Sequence, residues 1–89
     1  MIPREEREFI IASANKYHVS SVILFGSSIR EGEEYHDIDI GVNGIAPELF
    51  FKFYAELYRF LSKPVDLVDL SKKTAFTAFV EQHGVRIYG

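Results

Sequence analysis

The sequence has 89 residues, is 47% hydrophobic and 15% aromatic, and carries a formal net charge of −3; that supports one small packed core and provides no basic face for broad electrostatic binding to nucleic acid. It has no cysteine, which excludes disulfides and thiolate metal sites and fits a reducing compartment. No apolar run approaches the roughly 20 residues of a membrane span, and Met1 to Glu6 lacks the apolar stretch of a signal peptide, so a soluble, cytoplasmic protein folded as one domain over residues 1–89 is expected.

Residues 3–17 read as a helix. Pro3 suits a helix start, Glu5 and Glu6 suit the positive end of its dipole, and Phe9, Ile10, Ala14 and Tyr17 recur at helical spacing. Ser21-Val22-Ile23-Leu24-Phe25 is a β-rich run that stops at Gly26. The polar stretch from Gly26 to His36, which contains Gly32, reads as a loop or short helical turn. Asp37-Ile38-Asp39-Ile40-Gly41-Val42 alternates polar and apolar and reads as a strand with two unlike faces. Pro47 to Leu61 is the clearest helix, with Leu49, Phe50, Phe53, Tyr54, Leu57 and Leu61 on one stripe. Pro64 opens a third strand over Val65–Leu70, predicted to be interior. Ser71 is the expected N-cap of a last helix with Phe76, Phe79 and Val80 as its apolar face; Gly84 ends it, and Val85 to Tyr88 add a short edge strand. The order predicts an α/β (α+β) domain, a small mixed sheet with helices packed on one face.

Two features carry chemistry. Asp37 and Asp39, two apart on a strand, present both carboxylates to one face while Ile38 and Ile40 enter the core. Neighbouring carboxylates repel, and a divalent cation with oxygen ligands relieves the repulsion; a bare Asp-x-Asp is equally at home on a solvated strand face. Asp66, set between Val65 and Leu67, adds a third carboxylate, whereas Asp69 faces the other way and suits a solvated or capping role. The second feature is the strand end Leu24-Phe25-Gly26-Ser27-Ser28. Gly26 admits close approach of a ligand, Ser27 offers a hydroxyl to a phosphate oxygen, and Arg30 follows within reach of the same phosphates. A P-loop does not fit, because Gly26 and Gly32 stand six apart and Glu33 takes the place of its Lys.

Together, Gly26-Ser27, Asp37-Ile38-Asp39 and Asp66 on the next strand resemble the DNA polymerase β-type nucleotidyltransferase superfamily, and within it the minimal nucleotidyltransferase (MNT) domain. The resemblance covers nearly the whole chain. It implies that Gly26 and Ser27 hold the β/γ-phosphates of a nucleoside triphosphate, that Asp37 and Asp39 bind two Mg²⁺ ions, and that Asp66 completes the metal site and helps activate the attacking hydroxyl. It further implies transfer of AMP from ATP to a hydroxyl, often a tyrosine of a HEPN-domain toxin encoded nearby, with the chain acting as antitoxin. With the catalytic core using nearly all 89 residues, the acceptor is expected on a partner chain or a second copy. A non-catalytic binding module and an antibiotic-modifying transferase are the alternatives; no direct nucleic-acid or membrane partner is expected. The chain departs from the family pattern at His36, where Ser is usual, and at Arg30-Glu31-Gly32, where Glu31 is inserted into Arg-Gly. His36 is expected to be exposed.

Overall fold

The computed structural model describes residues 2–30 and 35–89. Glu31, Gly32, Glu33 and Glu34, on which the altered Arg-Gly reading rests, lie outside the described residues. The elements follow in the order α1 (Arg4–Lys16), β1 (Ser21–Phe25), a 3₁₀ turn (Gly26–Ile29), β2 (Ile38–Asn43), α2 (Pro47–Phe60), β3 (Val65–Asp69), α3 (Ala75–His83) and β4 (Val85–Tyr88). The four strands make a mixed sheet of order β3-β2-β1-β4. β1 pairs antiparallel with β2 and with β4, and β2 pairs parallel with β3. The parallel pair needs a crossover, and α2 supplies it. No helix among the described residues is long and apolar enough to cross a membrane.

Strand alternation divides the side chains between two layers. Val22 and Leu24 of β1, Ile38, Ile40 and Val42 of β2, and Val65 of β3 enter the main core with Ile10 and Ala14 of α1 and Phe53 and Leu57 of α2. The large side chains Ile10, Leu24, Ile38, Ile40, Phe53 and Leu57 are wholly buried there, each contributing about 1.5–3 kcal/mol of burial. The α1–α2 packing is further tied at Glu56, which accepts from Lys16 Nζ (2.7 Å), Ser13 Oγ (3.0 Å) and Tyr17 Oη (3.1 Å).

The mixed sheet agrees with the sequence reading, and α1 and α2 share one face as expected. α3 does not join them: its Val80 packs with Ile23 and Leu70 on the opposite face. Gly41 makes room for this second cluster, since a Cβ there would meet Leu70 Cδ1 at 2.8 Å. Three other expectations are corrected. β3 lies at the edge of the sheet, not in its interior. Asp37 precedes β2, which begins at Ile38. α3 starts three residues later than Ser71 implied: Thr74 is its N-cap, in a reciprocal box with Thr77, while the Ser71 N–H donates to Asp69 Oδ1 at 2.9 Å. The later start rotates Thr77 and Val80 inward and leaves Phe76 and Phe79 more than half exposed. Asp69 caps no helix; its carboxylate accepts in a local turn after β3.

A nine-residue helix depends on its cap more than a long one does. Thr74→Ala is expected to cost about 1 kcal/mol in denaturant unfolding, whereas Ser71→Ala, which keeps its backbone donor, leaves the midpoint nearly unchanged.

Candidate functional site

The site is built on the face of the sheet that α1 and α2 leave open. Its foundation is register. Phe25 of β1 is the Cα partner of Asp39 of β2, and Asp39 is the partner of Asp66 of β3. Residues opposite one another in a ladder point to the same side, so Asp39 and Asp66 are neighbours on one face. The adjoining row is Ile23, Gly41 and Val68, which continues into the apolar cluster under α3. Carboxylates therefore occupy the end of a face whose remainder is apolar.

Asp39 is half-buried, while Asp37 and Asp66 are exposed. Burial raises the Asp39 pKa above its ordinary value, and the charges of Asp66 and then Asp37 raise it further. The three groups thus repel one another through Asp39. Among the described residues none of the three forms an ion pair. Among the described residues no three His, Asp or Glu side chains are grouped closely enough to hold a metal ion between them. The donor chemistry is nonetheless of one kind: carboxylate oxygens with unbalanced negative charge, which suits a hard divalent cation and not a thiophilic one.

At the end of β1 the chain turns sharply. Gly26 has φ +66, a left-handed conformation that favours glycine. A Cβ at this position would overlap the Asp39 carboxylate, so the Gly26 backbone lies directly against that oxygen. The turn is locked by Ser28, which is fully buried and donates from Oγ to the Phe25 carbonyl at 2.7 Å. Ser27, in the same turn, is half-buried. The Arg30 N–H closes the turn on the Ser27 carbonyl at 3.2 Å. Its exposed side chain lines a cavity of about 190 Å³ between the turn and α3, with Phe25, Gly26, Phe79 and His83. A larger groove of about 490 Å³ runs between α1 and α2, lined by Phe9, Tyr17, Lys52, Glu56, Arg59 and Phe60. It belongs to the other helical layer and contains none of the three aspartates.

The structure therefore brings Asp39, Asp66 and Gly26 together, while Asp37 stands just before β2, outside the ladder. The expectation that Asp66 is buried on an interior strand is corrected: on an edge strand it is solvated, which removes the cost of holding an unpaired carboxylate there. His36 is exposed as expected. Sequence reasoning gave Ser28 no role; its hydroxyl ties the turn to the Phe25 carbonyl.

Residues 8–89 match the model of the family described as polymerase beta, nucleotidyltransferase. The chain belongs to that family. Among solved structures, a toxin–antitoxin complex with AMP-PNP is similar at TM-score 0.76 and 23% identity, over 93% of this chain and 73% of that one. The MntA–HepT toxin–antitoxin structure is similar at TM-score 0.73 and 22% identity, over 98% and 73% of the two chains. A tri-AMPylated Shewanella oneidensis HEPN toxin in complex with its MNT antitoxin is similar at TM-score 0.73 and 24% identity, over 97% and 71%. These likenesses establish a shared fold. Comparison with curated proteins gives no match.

Two consequences can be measured. Because the folded state raises the Asp39 pKa, it binds that proton more tightly than the unfolded chain does. Stability therefore falls as pH rises from the ordinary aspartate range through the raised value, and stays lower above it. In EDTA at pH 7, Asp39→Asn is expected to melt a few degrees above the wild type, with the gap closing as pH is lowered toward 3; thermal melts across pH read both. Gly26→Ala must hold a left-handed residue and displace the Asp39 carboxylate, and is expected to lose at least about 1–2 kcal/mol in equilibrium unfolding.

Proposed function

We propose that the protein transfers a nucleoside monophosphate, AMP from ATP, to a hydroxyl on a partner protein, and that the partner is a toxin of the HEPN type which the modification silences. The observation that carries this reading is the Asp39 carboxylate, held half-buried between Asp66 and the Gly26 backbone. Carboxylates able to take cations, set beside a glycine turn that a phosphate can approach, suit a polyphosphate substrate that arrives with its cations. Family membership supports the reaction class. The shared fold with a toxin–antitoxin pair holding AMP-PNP and with a complex containing an AMPylated toxin supports the nucleotide and the acceptor.

In this reading Asp37, Asp39 and Asp66 hold Mg²⁺, two ions being the expected number. A metal held there would supply positive charge to offset the negative charge of the phosphates. Gly26 and Ser27 receive the β- and γ-phosphates: the first N–H groups of a helical turn have no partner within the turn, and the Ser27 hydroxyl adds a donor. Arg30 stands at the end of the same turn to contact the phosphates. Asp66, exposed at the sheet edge, accepts the proton of the acceptor hydroxyl. The acceptor oxygen bonds to the α-phosphorus as the bond from that phosphorus to the bridging oxygen breaks, and pyrophosphate leaves. The protein contributes positioning and charge; no covalent intermediate is required.

The test uses the wild-type chain with Mg²⁺, ATP labelled at the α-phosphate and the protein encoded by the neighbouring gene. Label is expected on that protein, released by no boiling or denaturation step. Asp39→Asn and Asp66→Asn are each expected to reduce the rate at least about a hundredfold. An unlabelled neighbour that both variants still bind and inhibit would replace catalysis by simple contact inhibition.

A further inference from the structure

Asp39 and Asp66 are placed by the strand ladder, but Asp37 is not. It stands one residue before β2 and is exposed. It lies two residues before Asp39 and next to Ile38, the first residue of the ladder, and its backbone is held from both sides. The surroundings show a tied structure. Two residues upstream, Tyr35 is only 9% exposed and belongs to the main core. The Lys63 ammonium sits over its ring, 4.7 Å from the centroid. One residue downstream, the Ile38 N–H donates to the Pro64 carbonyl at 2.8 Å. Both ties therefore run to the same short turn between α2 and β3.

That turn is itself anchored to α1. The Glu6 carboxylate, 9% exposed, accepts from the Ser62 backbone N–H at 2.8 Å and from Ser62 Oγ at 3.1 and 3.0 Å to its two oxygens. Hydrogen bonds to an ionised acceptor are the stronger kind. Glu6 also lies close enough to Tyr35 for its charge to add to the effect of burial in raising the phenol pKa. Glu6, far from the carboxylate row in sequence, thus fixes the turn on which both of Asp37's flanking ties depend.

We infer that Glu6, Ser62, Lys63 and Tyr35 form a clasp that positions the Asp37 carboxylate beside Asp39 and Asp66, making them positioning residues for the metal-binding end of the site. The inference rests on the nucleotidyl-transfer reading for its purpose, but the clasp has a readout of its own. A cation over a buried ring is a tie of moderate strength, and its loss frees the segment locally without opening the core.

Amide hydrogen exchange of the metal-free, nucleotide-free protein tests the clasp directly. Lys63→Gln is expected to accelerate exchange at Ile38 about three- to tenfold and to leave Leu24, in the central strand, unchanged. Lys63→Arg keeps a cation able to stack on the ring and is expected to restore the wild-type rate. Tyr35→Phe keeps the ring and behaves as wild type, and Tyr35→Leu reproduces Lys63→Gln. In the transfer assay, Lys63→Gln is expected to raise the half-saturating Mg²⁺ concentration severalfold, with the ATP KM at saturating Mg²⁺ unchanged. Unaltered exchange at Ile38 in Lys63→Gln overturns the clasp, as does parallel acceleration at Ile38 and Leu24, which marks general destabilisation. A wild type that transfers no nucleotide, with Ile38 exchange still responding to Lys63→Gln and rescued by Lys63→Arg, refutes the proposed activity and leaves the clasp standing.

Discussion

The pairing of Asp39 with Phe25 on one side and Asp66 on the other is the constraint from which the rest of the site follows. A shift of β2 by a single residue would carry Ile38 and Ile40 out of the core and turn Asp39 into it. Because both isoleucines are wholly buried, the hydrophobic layer enforces the register that sets the carboxylates side by side. The burial that stabilises the fold and the repulsion that marks the site are two faces of one strand. The repulsion is tolerable because β3 is an edge: Asp66 keeps its water, and only Asp39 is partly desolvated.

Around that row the molecule uses small residues where space is short. Gly26 lets the backbone lie against the Asp39 carboxylate, and Gly41 lets Leu70 close over the adjoining row. α3 then covers the apolar remainder of the face through Val80 and leaves the carboxylate end open. Its placement on the opposite side from α1 and α2 gives the site a floor on one flank and solvent on the other. Phe76 and Phe79, exposed on α3, border that opening; Phe76 meets Phe25 edge to face, with ring centroids 5.9 Å apart.

Stability and chemistry are also linked across the sheet. The α1 residue Glu6 touches no part of the carboxylate row, yet it holds the α2–β3 turn to which Tyr35 and Ile38 are tied. Asp37 stands one residue before the first rung of the ladder, so its backbone is set by the Ile38 bond to Pro64 on one side and the Tyr35–Lys63 contact on the other. In a chain with so little structure to spare, the same turn ends a helix, starts a strand and braces the approach to Asp37.

Much of this was legible in the amino-acid order. Period-two alternation in residues 37–42 established that Ile38 and Ile40 are core and that Asp39 is not, and the apolar stripe of residues 47–61 established α2; both are local properties that one stretch of chain expresses alone. The combination of Gly26-Ser27 with three aspartates identified the family, because its parts keep characteristic spacing. What the tertiary structure decided were relations between stretches. Strand order made β3 an edge and left Asp66 solvated, where sequence flanks of Val65 and Leu67 implied an interior. That Thr74 and not Ser71 caps α3 was decided by the reciprocal Thr74–Thr77 bonds, and with it which face of α3 turns inward. The side of the sheet that α3 covers, and the clasp from Glu6 through Ser62 and Lys63 to Tyr35, depend on which segments meet in space. Sequence periodicity reports how a segment divides its own faces; it carries no information about the neighbour each face will find.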